Sequence, residues 1–431
     1  MKLHGGQLGA LSEFVRSLFI DSDLSFDPPD AGLYEKLSNQ ILKAPPWKDY
    51  IDIADLSTII WRAAYREASR YPRGFSGKLA ELDDGKAAEQ LITVISAELQ
   101  QIPSTVDVFV PVNGLIQLQQ AEIKLTDRVA LVDSAHNKEL ARYLETAKPS
   151  NGLFQLLGAV KSTAVSPPSR FIKIRTTGFA SDGSDSQVVR EALSETKQIV
   201  FVGLATGAFS LAYSSQRWDM RSNAERLPGL VVQYREGDPT VNGISLPYDL
   251  NHFLQRIQFK EPLQVFDYQP GKGLLNSGMR PATDGKDVSE AVATLLNTAS
   301  KFVSLKSPDA MAIRAAMEWY IDSESTSNES ISFLQRCIGL EALLGVDGGR
   351  RDVTERLADR YAYLLGKTES ERGKMRHAFR EMYSHRSDVV HGRASKLSAG
   401  HRKASYVSAD MLLRCTWAEM QNVLKATKEP L

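Results

Sequence analysis

Arg386 and His391 stand five positions apart in the run Tyr383-Ser384-His385-Arg386-Ser387-Asp388-Val389-Val390-His391-Gly392. This pair of residue types can act on a phosphodiester without a metal. Imidazole titrates near neutrality and can move a proton to or from an attacking hydroxyl or a leaving oxygen. Guanidinium keeps its charge and offers a two-pronged donor to the negative charge that builds on the phosphate oxygens in the transition state. On an ideal helix the two side chains are separated by about 140°, so they flank a groove and do not share a face. A second copy related by a two-fold axis could then supply the other half of a site.

The spacing alone carries little information. Random placement of the chain's arginines and histidines would give about 0.5 such pairs, and the sequence has three: Arg372/His377, Arg380/His385 and Arg386/His391. The first two are expected inside a helix whose buried stripe is Met375, Phe379 and Met382, with their own side chains turned to solvent. The third brackets two β-branched residues, Val389 and Val390, and is followed by Gly392, which permits a turn. The surrounding window is basic. Between Arg372 and Lys403 lie nine Lys/Arg against Glu381 and Asp388, and four of the seven histidines fall in the same stretch. Within a chain whose net charge is +0, such a window is a candidate for contact with a phosphate backbone. Arg376, Arg380, His385, Arg393, Arg402 and Lys403 are the residues this assigns to nucleic-acid binding; a solvated helix face is the plainer reading of the same charges.

The elements that must position the pair are helical. The segment Gln269–Asp287 is rich in turn formers and poor in apolar residues, which places a boundary there. Beyond it, in residues 286–431, apolar periodicity marks helices over Val288–Leu305, from Ser307-Pro308 onward, over Ser330–Leu344 and over His401–Leu424. Asp352-Val353-Thr354-Glu355 and Thr368-Glu369-Ser370-Glu371 have the form of capping boxes opening two more. Residues 1–280 mix both signals. Helices are expected over Ala54–Ser69 and Asp84–Gln101. Strands are expected over Val106–Val112, Glu122–Asp133, Phe171–Arg175, Gln198–Gly203, Phe209–Tyr213 and Leu230–Arg235. The fold class is therefore α+β, a mixed N-terminal α/β region of one or two subdomains followed by an all-α bundle.

Composition sets outer limits. A chain of 431 residues with 42% hydrophobic and balanced charge is globular and long enough for two or three domains. Cys337 and Cys415 are expected as buried thiols, and two cysteines exclude a four-thiolate zinc site. The first 21 residues lack the apolar core of a signal peptide, and no run approaches the roughly 20 apolar residues of a membrane span. A cytoplasmic location without membrane contact is expected. Elsewhere catalytic signatures are thin. Gly271-Lys272-Gly273 lacks the spacing of a phosphate loop, Gly203–Gly207 lacks a nucleophilic serine, Asp182–Asp185 reads as a turn, and His136 and His252 are isolated and read as structural.

Two segments carry a resemblance. Phe333–Gly345, with Glu341 amid leucines, and Tyr383–Gly392 are similar to the early helix and the arginine-to-histidine motif of the HEPN superfamily, more closely its Apea-like branch. The resemblance covers about a third of the chain, residues 288–425. It implies a homodimer through the C-terminal bundle and a metal-independent endoribonuclease of defence or toxin type that needs no cofactor. Its substrate is RNA, with tRNA among the candidates. Arg386 and His391 would be catalytic, with Asp388, Ser387 and Glu341 in support. It also admits an alternative: a non-catalytic dimerisation or nucleotide-binding module, with the activity carried by residues 1–280, which themselves resemble nothing recognisable and read as a sensor or regulatory region.

Overall fold

The computed structural model of the protein describes residues 2–27, 31–112, 121–147, 170–180, 186–211, 229–234, 239–260, 264–267, 278–281, 284–303, 305–345, 353–391 and 397–426. The expectations placed on Gly271–Gly273, Asp182–Asp185, the Asp352 cap, Gly392 and Arg393 fall outside these residues.

The chain starts with a helical unit: α1 (Gly5–Ser17), α2 (Ala31–Leu42), α3 (Ile53–Ala68) and α4 (Lys86–Gln100), edged by the short antiparallel strands β1 (Phe19–Ile20), β2 (Phe26–Asp27) and β3 (Gly77–Lys78). The α3 stripe Leu56, Ile59, Ile60, Ala63 and the α4 stripe Ala88, Leu91, Ile92, Ile95, Leu99 are buried, as their periodicity predicts. They close one apolar core with Phe14 and Trp47. The Trp47 indole N–H donates to Leu99 O at 2.8 Å, so the largest core side chain leaves no polar atom unmet.

Next comes a six-stranded antiparallel sheet in the order β10-β9-β4-β7-β6-β5, with β4 (Ser104–Pro111), β5 (Glu122–Lys124), β6 (Val129–Asp133), β7 (Arg170–Gly178), β9 (Gly229–Tyr234) and β10 (Thr240–Ile244). The expected strand Glu122–Asp133 is two strands. Thr126 folds it into a hairpin by accepting the N–H groups of Arg128 and Val129 through its hydroxyl. Helix α5 (Lys138–Thr146) packs Leu140 and Tyr143 on one face of the sheet. The fully buried Asp107 of β4 is matched by a two-pronged bond from Arg175 at 2.7 and 2.8 Å and by the Tyr234 hydroxyl at 3.0 Å.

One strand expectation is overturned. Gln198–Gly203 lies inside α6 (Gln187–Thr206), a 20-residue helix. Ile199, Val200, Phe201 and Val202 are all buried because this helix is covered on both sides, by the sheet and by the C-terminal helices. An all-round apolar run has no periodicity from which to tell helix from strand. Gly203 is required there: a Cβ would lie 2.0 Å from the Phe209 ring at the start of β8 (Phe209–Leu211). The chain leaves α6 through Gly207 at φ 73°, and β8 pairs with β11 (Ile257–Phe259), which follows α7 (Tyr248–Leu254). The hairpin β12 (Gln264–Asp267) and β13 (Gly278–Pro281) completes the strands among the described residues.

The remaining elements are helices: α8 (Gly285–Val303), α9 (Pro308–Ser325), α10 (Glu329–Leu344), α11 (Val353–Leu365), α12 (Glu369–Val390) and α13 (Ala399–Ala426). The protein is thus α+β with a helical C-terminal region. Local signals fix several starts. The Ser307 hydroxyl accepts from Ala310 N with Pro308 at the first helical position, and Thr368 and Glu371 form the reciprocal capping box. Gly339 lets α10 approach its neighbours, since a Cβ would sit 2.9 Å from Leu412 and 3.1 Å from Trp319. The apolar core is continuous from the sheet through α6 into this bundle, with Phe201 edge-on to Tyr320 at 5.4 Å. Polar contacts reinforce the seam: Ser194 to Glu318 at 2.5 Å and Lys197 to Asp322 at 2.7 Å. No helix among the described residues is long and apolar enough to cross a membrane.

Candidate functional site

The arginine–histidine segment occupies the end of α12. Phe379 and Met382 are buried on one side of this helix, and an aromatic column runs along it: Tyr361 against Phe379 at 5.6 Å, then Phe379 stacked on Tyr383 at 5.8 Å and 16°. The column fixes Tyr383, and Tyr383 in turn contacts both Glu341 and Arg386. Its hydroxyl donates to Glu341 Oε1 of α10 at 2.9 Å, and the Arg386 guanidinium lies over its ring, 5.5 Å from the centroid. Arg386 Nη2 meets the same Glu341 Oε1 at 3.1 Å. Burial, and then the Glu341 charge, push the Tyr383 hydroxyl well above the usual phenol range, so it stays a donor. Arg386 and Glu341 are each about 30% exposed, at 28% and 31%, leaving part of the guanidinium open to an incoming anion.

His391 is the C-cap of α12, with φ −87° and ψ 9°, and its N–H donates to Ser387 O at 3.0 Å. The motif therefore straddles a helix end. Val389 turns into the core while Val390 and His391 stay exposed. Ser387 contacts His391 through its carbonyl alone, which accepts the backbone N–H. The half-buried Asp388 has its carboxylate grouped with His385 and His401 instead.

Compared with protein-family models, with curated proteins and with solved structures, the chain matches none.

Tertiary packing changes the reading of the basic window. Arg376 pairs with Asp359 at 2.9 Å and Glu369 at 3.1 Å and lies over the Tyr363 ring. Arg380 pairs with Glu355, Arg402 with Glu329 at 3.5 Å, and Lys403 with Glu381 at 3.9 Å. Four of these five acids belong to other helices or lie outside the window, so the surface is far less positive than the linear count. Arg402 and Lys403 remain largely exposed, at 63% and 74%, and exposed pairs of this kind exchange partners at little cost.

The expectation that both decoy pairs turn to solvent fails at His385. Its ring is half-buried against His401, 4.8 Å between centroids, and over Gly400, whose added Cβ would lie 3.3 Å from its Cε1. The reason is α13, which starts across the end of α12. Arg372 also leaves solvent, to lie 4.5 Å over Tyr363.

Arg336 is the residue sequence reasoning passed over. It is 9% exposed, donating from Nε to Ser323 Oγ at 3.1 Å, from Nη1 to Ser405 O and Oγ at 2.9 and 2.8 Å, and from Nη2 to Glu324 at 2.7 Å. It rivets α10 to α9 and α13, and so places Glu341 and the start of α13 together. Only its position amid the apolar Phe333–Leu344 run hinted at burial. Cys337, the next residue, donates to Met382 Sδ at 3.9 Å, and burial raises its thiol to about 12. Both cysteines are buried and free, which makes them structural.

Proposed function

We propose that the C-terminal helices form a HEPN-type dimeric endoribonuclease, with RNA cut by attack of its own 2′-OH. The observation that carries this reading is the Glu341–Tyr383–Arg386 cluster, set one and a half turns before an exposed helix-capping histidine. A guanidinium aimed by a carboxylate and an aromatic ring is preorganised for a negatively charged transition state, so little reorganisation is needed when charge develops. A histidine on a helix end is free to transfer a proton.

In the proposed reaction the His391 of one copy takes the 2′-OH proton as that oxygen attacks phosphorus, and the His391 of the second copy gives a proton to the 5′ oxygen as the P–O5′ bond breaks. The products are a 2′,3′-cyclic phosphate and a 5′-OH. Arg386 neutralises the phosphorane. The exposure of His391 and Val390 supports a site closed by a second copy of the chain. Ser387 holds the last turn of α12 through its carbonyl.

A non-catalytic dimerisation module has one observation in its favour: Arg386 is already engaged by Glu341, as a structural brace would be. Incubating purified protein with total RNA or tRNA in EDTA separates the two. The proposal expects cleavage that leaves 5′-OH ends and is lost in His391→Ala; equal cleavage by His391→Ala, or none by the wild type with any RNA, contradicts it.

A further inference from the structure

We propose that His385, Asp388 and His401 form a binding site for one divalent transition-metal ion, zinc by the chemistry of its ligands. One donor atom from each residue falls within 4.8 Å of the other two. The ligand set is built by two helices. His385 and Asp388, three apart, share a face of α12, and His401 comes from the first turn of α13.

Two independent observations mark these groups as donors. His385 Nδ1 and His401 Nε2 are both shut off from solvent and have no hydrogen-bond partner among the described residues; two such nitrogens side by side cost free energy that coordination would recover. The other nitrogen of His401, Nδ1, faces Ser398, 2.7 Å from its Oγ and 3.3 Å from its backbone N, and a metal on Nε2 would take the tautomer in which Nδ1 donates to the hydroxyl, the outer-shell arrangement that metal-binding histidines use. Asp388 forms no ion pair among the described residues, while the nearby cations Arg386, Arg402 and Lys403 are each matched by a glutamate.

Two imidazoles and a carboxylate suit zinc, with a fourth position left for water. Ligand atoms around tetrahedral zinc stand about 3.3 Å apart, given bonds of about 2.0–2.1 Å. Small side-chain rotations close the present separation. The ion would clip the end of α12 to the start of α13, across residues 392–398, and so hold the last turn that carries Arg386 and His391. It takes no part in phosphoryl transfer, and zinc binding does not depend on the ribonuclease reading.

The test is calorimetric titration of EDTA-stripped full-length protein with zinc chloride, paired with cobalt(II) titration followed by visible absorption. One ion per chain is expected, with a tetrahedral cobalt spectrum and a raised melting temperature. His401→Ala and Asp388→Asn should each weaken binding at least about tenfold, whereas His377→Ala, at an exposed histidine on the same helix, should leave it unchanged. No one-to-one binding by the wild type overturns the site, as does unchanged binding in a folded His401→Ala. If His401→Ala does not fold, His385→Gln replaces it on the same criterion.

Discussion

Glu341 Oε1 receives both the Tyr383 hydroxyl, at 2.9 Å, and Arg386 Nη2, at 3.1 Å. One carboxylate oxygen from α10 therefore sets the position of two side chains on α12. The pair is partly exposed, so its worth to folding is at most about 1 kcal/mol. Its consequence lies in aim: Arg386 is held over the Tyr383 ring with an edge left open.

Glu341→Gln keeps an acceptor for Tyr383 and removes the charge that holds Arg386. Thermal unfolding is expected to shift little, and RNA cleavage to fall about tenfold to hundredfold, the scale of a misplaced catalytic group. Equal losses of stability and activity would assign the cluster a structural role only. Kinetics beside a melting curve decide it.

Gly203 and Gly373 are both helical glycines and should respond oppositely to alanine. At Gly203 the added Cβ meets the Phe209 ring at 2.0 Å, and Phe209 is itself buried against Phe259. The clash outweighs the gain in helix propensity, and Gly203→Ala should cost about 2 kcal/mol or more. At Gly373 nothing lies within 4 Å, so Gly373→Ala should stabilise by up to about 1 kcal/mol. Urea unfolding of the two variants checks the signs.

Arg336→Met removes a buried guanidinium that joins three helices and strands Ser323 and Glu324 without their donor. A loss of about 2–4 kcal/mol is expected. Hydrogen exchange should show the added opening at the start of α13, around Ser405.

Asp55 is 1% exposed in the first turn of α3, and desolvation, helped by the Asp52 charge and opposed by the hydrogen bond from the Asp52 N–H and by Arg190, raises its carboxyl to about 6 from an ordinary 3.8. The folded state holds this proton more tightly than the unfolded state does, so stability is fully present below about pH 4 and declines as pH rises through 6. Asp55→Asn cannot titrate. It should lose that part of the pH dependence and be the more stable protein at pH 7, as denaturant midpoints measured from pH 4 to 7 would show.

Local chemistry made much of the bundle legible. Ser307 with Pro308, and Thr368 with Glu371, announce helix starts within four residues, and the α3 and α4 stripes declare their buried faces. What stayed hidden depends on which helix crosses which. Ile199–Val202 looks like a strand because two layers cover it. Glu355, Asp359 and Glu329 neutralise a basic window from which they are distant in sequence. His401 reaches His385 only because α13 starts across the end of α12. A family resemblance assigns Glu341 to the support of Arg386, and nothing in the sequence points to its contact with Tyr383.

The central claim is that Arg386 and His391 act together in a site completed by a second copy. Mixing inactive Arg386→Ala with inactive His391→Ala, under conditions that exchange subunits, tests it most directly with RNA in EDTA. A composite site places the intact arginine of one chain beside the intact histidine of the other, and cleavage should return to a substantial fraction of wild type. Parents as active as the wild type, or a mixture as inactive as its parents when the wild type cuts, would contradict the account.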